Sequence, residues 1–287
     1  MKTKIIFASI AFTVIFALGS KAQTALTSEM LNQFEFRNLG AYRAGAWVSA
    51  VAVPENPGAK YKYTFFVAGR NGGVWKTVNN GTTFYPVFEK YGVTTIGAIA
   101  VAPSNPDVVW VGTGESYNAR SSFAGNGVYR STDGGETYTN MGLKDSHHIA
   151  KIIIDPANPD IVYVASMGHL FSTNAERGVF KTTDGGKTWE KVLFVDDKTG
   201  VIDLIIDPSN PSVLYASAYE KTRLPWHFEA GGKGSAVYKT TDGGKNWVKT
   251  LNGLPGGELG RIGLAISRSN PSIVYAVVEN LNPKDPA

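Results

Sequence analysis

A short motif that recurs along the chain limits the folds available to it. Its copies read TVNNGTTF at 77–84, STDGGETY at 131–138, TTDGGKTW at 182–189 and TTDGGKNW at 240–247. Counted at the third position of each motif, successive copies are 54, 51 and 58 residues apart. Self-similarity at such a period is typical of proteins built from repeated structural units. The sequence therefore predicts about one unit for every 50 residues.

Each unit contains four predicted strands. Apolar runs such as IGAIAV and VVWVG flank an Asn-Pro pair, which recurs at 56–57, 105–106, 158–159, 210–211 and 270–271. Proline ends the first strand, and Asp-Gly-Gly supplies the positive φ of a tight hairpin between the third and fourth strands. Four-stranded antiparallel units of this size predict an all-β fold, a β-propeller. The predicted blades span about 47–88, 96–141, 149–194 and 201–251, with a partial blade at 261–280.

The N-terminus has the layout of a secretory signal peptide. Lys2 and Lys4 precede an uncharged apolar run at 5–18, and Ser20 and Ala22 place small residues before a predicted cut at Gln23. A membrane anchor is the weaker alternative, because this run is shorter than the roughly 20 residues of a spanning helix. We expect cleavage after Ala22, an exported periplasmic or secreted protein, and no membrane insertion of the mature chain.

Charge and cysteine content exclude several functions. Beyond residue 22 the chain has 25 basic and 24 acidic residues, so no basic surface indicates a nucleic-acid partner. The absence of cysteine from the sequence excludes disulfides and cysteine nucleophiles. Adjacent His147 and His148 would point to opposite sides of a strand, so we expect no metal site. No motif implies a cofactor.

The repeated motif resembles the Asp-box, or BNR repeat, of sialidases, xyloglucanase-type glycoside hydrolases and sortilin-type receptors. The whole mature sequence resembles exported bacterial proteins with a sortilin-type propeller. In those families the boxes are structural and lie opposite the binding face. We therefore expect a structural role for nine box residues: Asp133, Gly135, Tyr138, Asp184, Gly186, Trp189, Asp242, Gly244 and Trp247.

The loops on the other face are the predicted binding site. Strand alternation places the Asn-Pro and Asp-box turns on one face, and the irregular loops at 113–126, 166–177 and 217–235 on the opposite one. Binding residues usually lie on loops that a rigid scaffold supports. The candidate ligand-binding residues are Arg70, Glu115, Tyr117, Arg120, His147, His148, His169, Arg177, Arg223 and Trp226.

Glu115, Glu220 and Glu229 are the weak candidates for catalysis, because glycoside hydrolysis usually needs two carboxylates. The resemblance to xyloglucanases implies a catalytic Asp two residues before a Gly-Gly pair in the first blade. Here Arg70 takes that place, before Gly72-Gly73, and the partner Asp of that family belongs to a second propeller. Sialidases carry an F-R-I-P motif, of which the segment at 36–39 keeps only the first two residues.

The sequence leaves both architecture and function open. Residues 23–46 form an N-terminal segment in which 34–39 could add a strand, and 47–287 form the propeller. We expect either part of a longer propeller, or closure by five blades or by another chain. Binding of a polysaccharide, an oligosaccharide or an extracytoplasmic protein is the main hypothesis. Glycoside hydrolysis and a purely structural or assembly role are the alternatives.

Overall fold

The computed structural model describes residues 27–31, 47–250 and 252–282. The predicted signal peptide and the possible strand at 34–39 lie outside these ranges. Helix α1, Ser28–Leu31, belongs to a unit of residues 1–39, and the strands belong to a second unit of residues 40–287. In the described ranges, no helix has the length and apolar character needed to cross a membrane.

The second unit is built from successive antiparallel sheets. The first sheet contains β1 (Val48–Ala52), β2 (Phe65–Gly69), β3 (Gly73–Thr77) and β4 (Tyr85–Pro86). The second contains β5 (Ile96–Val101), β6 (Val109–Thr113), β7 (Val128–Ser131) and β8 (Thr139–Asn140). The third contains β9 (Ile149–Ile154), β10 (Val162–Ser166), β11 (Gly178–Thr182) and β12 (Glu190–Leu193).

The fourth sheet carries an inserted hairpin. It contains β13 (Thr199–Ile206), β14 (Leu214–Glu220), β17 (Ala236–Thr240) and β18 (Val248–Thr250). The hairpin is formed by β15 (Thr222–Leu224) and β16 (His227–Glu229). A two-stranded sheet of β19 (Leu259–Ile266) and β20 (Val274–Asn280) follows. Two short 3₁₀ turns lie between sheets, at Glu89–Tyr91 and Lys144–Ser146.

This architecture confirms the predicted all-β propeller with four-stranded antiparallel blades. One local prediction is wrong. The region 217–235 was expected to be an irregular loop, but β14 continues to Glu220 and a hairpin occupies 222–229. Each strand of this ladder has three residues, and those of β16 are all exposed.

Hydrogen bonds within each Asp-box close the hairpin between the third and fourth strands. In the third sheet, Asp184 Oδ1 accepts hydrogen bonds from Thr182 Oγ1 at 2.7 Å and from Thr188 N at 3.0 Å. Gly185 and Gly186 have φ angles of 72° and 92°, a left-handed conformation that favours glycine. Corresponding side-chain oxygens accept such bonds at Asn79, Asp133 and Asp242.

The hydrogen bonds to the Asp-box carboxylates predict how the stability of the fold changes at low pH. Hydrogen bonds from the backbone and side chain of Asn246 lower the pKa of Asp242 to about 2. Its unfolded value is about 3.9, so the stabilisation is present above about pH 4 and is lost as the pH falls towards 2. We expect Asp242→Asn to melt within a few degrees of the wild type at pH 7 and to lose less stability between pH 5 and pH 2.

Asn79 is the natural precedent for this substitution, because its Oδ1 accepts from Thr83 N at 2.9 Å. Melting temperatures followed by circular dichroism across the acid range would make the comparison. Superimposable acid profiles for the variant and the wild type would contradict the expected role of the Asp242 carboxylate.

Apolar side chains pack between neighbouring sheets. Phe66 and Tyr138 lie in a buried cluster between the first and second sheets. Trp110 is fully buried between the second and third sheets, where Trp189 meets it edge to face at a centroid distance of 5.9 Å. Each sheet is therefore stabilised mainly by its neighbours, as expected for blades that bury little surface within themselves.

The first strands of the five sheets line a central channel. At the end that carries the Asn-Pro turns, this channel holds a cavity of about 350 Å³, lined by one or more apolar residues from each strand, including Val51, Ile99, Ile152, Ile205 and Ile266. An ion pair of 2.6 Å joins Arg268 to Glu55, on the turns of the fifth and first sheets. Because this pair is exposed, it contributes at most about 1 kcal/mol.

Candidate functional site on the loop face

The backbone hydrogen bonds divide the sheets' ends into two faces. Asp-box and Asn-Pro turns of the same sheet are bonded together, as in Gly134 N to Asp107 O at 2.9 Å and Gly185 N to Asp160 O at 3.0 Å. The other end, which we call the loop face, carries the loops at 114–127, 167–177 and 221–235 and the connections between sheets. The channel opens on this face beside Tyr117, Asp203 and Arg261, in a cavity of about 200 Å³.

Arg70 and Glu115 form a buried ion pair beneath the loop face. The Arg70 Nε atom lies 3.0 Å from Glu115 Oε1, and the side chains are 9% and 0% exposed. Glu115 Oε2 also accepts a hydrogen bond from Tyr117 N at 2.6 Å. The Arg70 guanidinium lies 4.9 Å from the centroid of the Trp47 ring. Glu115 is therefore a buried carboxylate paired with Arg70, and its selection as a catalytic or ligand-binding residue stays a prediction.

The other two candidate acids occupy different surroundings. Glu220 Oε2 accepts a hydrogen bond from Gly234 N at 2.8 Å and so fixes the end of the fourth sheet's loop. Glu229 is exposed on β16, where its Oε1 atom lies 3.2 Å from His227 Nε2. Glu115 follows β6, Glu220 ends β14 and Glu229 ends β16, and each acid makes different local contacts.

The hairpin β15–β16 presents the most exposed tryptophan of the described residues. Trp226 stands at its tip and is 80% exposed. Arg223 stacks on Phe228 in the same hairpin, with the guanidinium 4.8 Å from the ring centroid. Arg120 is exposed on the loop of the second sheet.

Two buried cations hold the loop of the third sheet. Arg177 donates hydrogen bonds to four carbonyl oxygens, those of Met167, His169, Ser172 and Lys198. Lys221 Nζ donates to the carbonyls of His169 and Leu170 at 3.1 and 3.3 Å. Burial lowers the pKa of Arg177 to about 10 and, together with the charge of Arg177, lowers that of Lys221 to about 7. Arg177 is buried and fixes the backbone of this loop, and its role as a ligand contact stays a prediction.

The histidines separate into a buried one and an accessible pair. His148 Nδ1 lies 2.8 Å from Glu115 O, and burial lowers the pKa of its ring to about 4. His147 and His169 stack with a centroid distance of 3.8 Å, and His169 Nε2 lies 3.0 Å from Asp145 Oδ1. Burial, and next the proximity of His169, lower the pKa of His147.

Sequence reasoning missed several residues of this face. Asp203 Oδ2 accepts a hydrogen bond from Leu264 N at 2.9 Å, and Arg261 Nη2 donates to Ser116 O at 3.1 Å. Both belong to the mouth of the channel. The sequence did contain a signal for these residues, which is a charged residue within or beside an apolar strand, as in VIDLII. A strand that is buried on both faces would carry no charged residue.

Exposed aromatic side chains gather on the loop face. Of the ten exposed aromatic residues in the described ranges, seven lie at this end of the sheets: Trp47, Tyr117, Phe123, Phe171, Phe194, Trp226 and Phe228. Trp47 and Tyr117 meet edge to face at a centroid distance of 6.2 Å. Because exposed apolar surface can mark an interaction site, the loop face is the candidate binding surface.

Sheets packed around a channel, with Asp-box turns on one face and long loops on the other, define an Asp-box β-propeller protein. Residues 126–283 match the model of the Sortilin-Vps10 family, described as "Sortilin, neurotensin receptor 3,". This match covers more than half of the 287 residues, and the chain belongs to that family. The resemblance predicted from the repeats is confirmed.

Relatives of known activity are much longer than this chain. Xyloglucanase Xgh74A of Acetivibrio thermocellus is 24% identical over 311 residues, which covers 96% of this chain and 33% of that protein. A xyloglucanase of Hypocrea jecorina is 27% identical over 258 residues, or 78% of this chain and 28% of that protein. The chain thus spans about a third of the length of these relatives.

Solved structures share the fold. An ancestral GH74 enzyme superimposes with a TM-score of 0.61 and 24% identity, covering 82% of this chain and 28% of its own. The GH74 enzyme of Niastella koreensis gives a TM-score of 0.59 and 23% identity, covering 81% and 34% respectively. These likenesses establish the propeller architecture.

Proposed function

We propose that this chain is part of an exported propeller that binds a β-glucan polysaccharide, xyloglucan or a closely similar one, through its loop face. The observation that carries the proposal is the collection of exposed aromatic rings at this end of the sheets. An aromatic ring offers a flat apolar surface, and the C–H face of a sugar ring can stack on it. The xyloglucanase relatives support the choice of polysaccharide.

Polar groups beside the rings suit sugar hydroxyls. Trp226 precedes His227 in the hairpin, where His227 and Glu229 form an exposed pair, and Arg120 is exposed on the loop of the second sheet. Together these groups offer hydrogen-bond donors and acceptors next to an apolar platform. Binding sites for small polar ligands combine the same two components.

We prefer binding to hydrolysis because two of the three candidate catalytic acids are engaged in contacts within the protein. Glu115 is buried in its pair with Arg70, and Glu220 is bonded to a backbone amide. Arg70 also occupies the position at which the resemblance to xyloglucanases implies a catalytic Asp. Two carboxylates that flank a bond would be required for hydrolysis.

Binding can be tested by titration of xyloglucan oligosaccharides into the chain. We expect Trp226→Ala to weaken binding at least tenfold, about 1.4 kcal/mol, because the exposed ring would be lost from the sugar contact. Tyr63→Ala is the matched control, since Tyr63 is 54% exposed but lies near the Asn-Pro turn of the opposite face. Equal losses for both variants, or no binding by the wild type, would count against the proposal.

Hydrolysis of the same polysaccharide is the second candidate, and the names of the relatives favour it. Release of reducing ends from xyloglucan should be measured for the wild type and for Glu229→Gln and Glu220→Gln. Release that either substitution abolishes would establish hydrolysis in place of simple binding. Capture of an extracytoplasmic protein without any glycan binding would instead favour a protein-binding module.

A further inference from the structure

We infer that Asp145, His147 and His169 form a site for a divalent transition-metal ion, with zinc as the best match. Each of the three residues offers one ligand atom, and these atoms lie within 4.8 Å of one another. Two of these residues belong to the connection between β8 and β9, and the third lies on the loop between β10 and β11. The site therefore joins two separate segments of the loop face.

The distances are close to those of a metal complex. Asp145 Oδ1 lies 3.0 Å from His169 Nε2 and 3.9 Å from His147 Nε2. Ligand atoms around a tetrahedral zinc ion, at bond lengths of about 2.0–2.2 Å, lie about 3.3 Å apart. Coordination by both rings would require His147 to turn away from its stacked position on His169 towards the ion.

A second set of contacts holds the ligands in place. Ser172 Oγ lies 3.1 Å from His169 Nδ1 and leaves Nε2 directed at Asp145. Asn174 joins the two segments, since its Oδ1 accepts from His169 N at 3.0 Å and its Nδ2 donates to Asp145 O at 3.1 Å. Such outer contacts fix the ring orientation of ligating histidines and raise metal affinity.

Buried cations fix the backbone of the loop that carries His169. The carbonyl oxygen of His169 accepts hydrogen bonds from both Arg177 Nη2 and Lys221 Nζ. These two buried cations fix the backbone at this position. Binding of an ion would therefore immobilise only rotatable bonds in the side chains of the ligands. A site on such a rigid support has a small entropic cost of binding.

The donor set selects the ion. Two imidazole nitrogens and one carboxylate oxygen suit zinc, copper, nickel and cobalt, whereas calcium and magnesium prefer oxygen ligands. Asp145 is exposed, so further coordination positions face solvent, where water or a ligand oxygen can complete the sphere. No metal site was predicted from the sequence, because only the adjacent His147 and His148 were considered, whereas His169 lies on another loop.

Calorimetric titration of zinc chloride into the untagged chain tests the inference. We expect one bound ion per chain and affinities at least tenfold lower for His169→Ala and for Asp145→Asn. His227→Ala is the control, because His227 is also an exposed histidine beside a carboxylate, Glu229 at 3.2 Å, but has no second imidazole there. Its affinity should match that of the wild type.

Cobalt(II) gives a readout that folding defects do not imitate. Absorption bands of tetrahedral or five-coordinate cobalt should appear with the wild type and with His227→Ala, and should vanish with Asp145→Asn. This substitution keeps the shape of an exposed side chain, and circular dichroism should show an unchanged fold. Zinc affinity that is undetectable in the wild type, or equal in all four proteins, would overturn the inference.

Discussion

Replacing Arg70 with alanine is expected to lower the free energy of unfolding by about 3–5 kcal/mol. The substitution leaves the carboxylate of Glu115 buried, with an exposed fraction of 0%, and removes its cationic partner at 3.0 Å. It also removes the hydrogen bond from Arg70 Nη2 to Ser121 Oγ and the stacking on Trp47. Urea denaturation followed by circular dichroism would measure the change.

An exposed ion pair provides the control for this prediction. Lys60 Nζ lies 2.7 Å from Asp107 Oδ1, but the side chains are 67% and 41% exposed. Lys60→Ala should therefore cost less than about 1 kcal/mol. A loss below 1 kcal/mol for Arg70→Ala as well would mean that water or another group compensates Glu115, and would restore it as a candidate acid.

Trp189→Ala is expected to destabilise the fold by about 3 kcal/mol, compared with about 1 kcal/mol for Asp184→Ala. The Trp189 ring packs against the fully buried Trp110, and its Nε1 atom donates to Met141 O at 2.7 Å. It therefore connects the third sheet to the second. Asp184 forms hydrogen bonds within its own exposed turn, where water can replace them.

Chemical denaturation of the two variants would give this comparison. Trp226→Ala serves as the matched control for loss of an indole ring. Because Trp226 is 80% exposed at the hairpin tip, its replacement should leave stability unchanged. Equal midpoints for Trp189→Ala and Asp184→Ala would show that the turn, rather than the packing between sheets, limits stability.

The identity of residue 70 also bears on chemistry. Arginine stands where the resemblance to xyloglucanases implies a catalytic Asp, and it is ion-paired below the surface with Glu115. A glutamate on a loop tip is a reasonable candidate acid until its surroundings are known. Here the side chain is 0% exposed, and its two oxygens accept hydrogen bonds from Arg70 Nε and Tyr117 N, which favours a structural role.

Much of the architecture could be predicted from local patterns. Asn-Pro pairs and Asp-Gly-Gly turns act through φ angles and short-range hydrogen bonds, so they fix strand ends without reference to distant residues. Strand alternation then places the loops on one face. The hairpin at 222–229 was missed because its strands have three residues each, which is too short for a periodic signal.

The sequence by itself determined the repeat, the strand order within each sheet and the separation of the turn face from the loop face, because each follows from contacts between near neighbours in the chain. Only the tertiary structure decided that Glu115 is buried by Arg70, that Asp203 and Arg261 meet at the channel mouth, and that His169 joins Asp145 and His147. These residues are 22 to 58 positions apart in the sequence. Their burial, charge pairing and metal-binding geometry depend on how the sheets pack against one another, which no local pattern encodes.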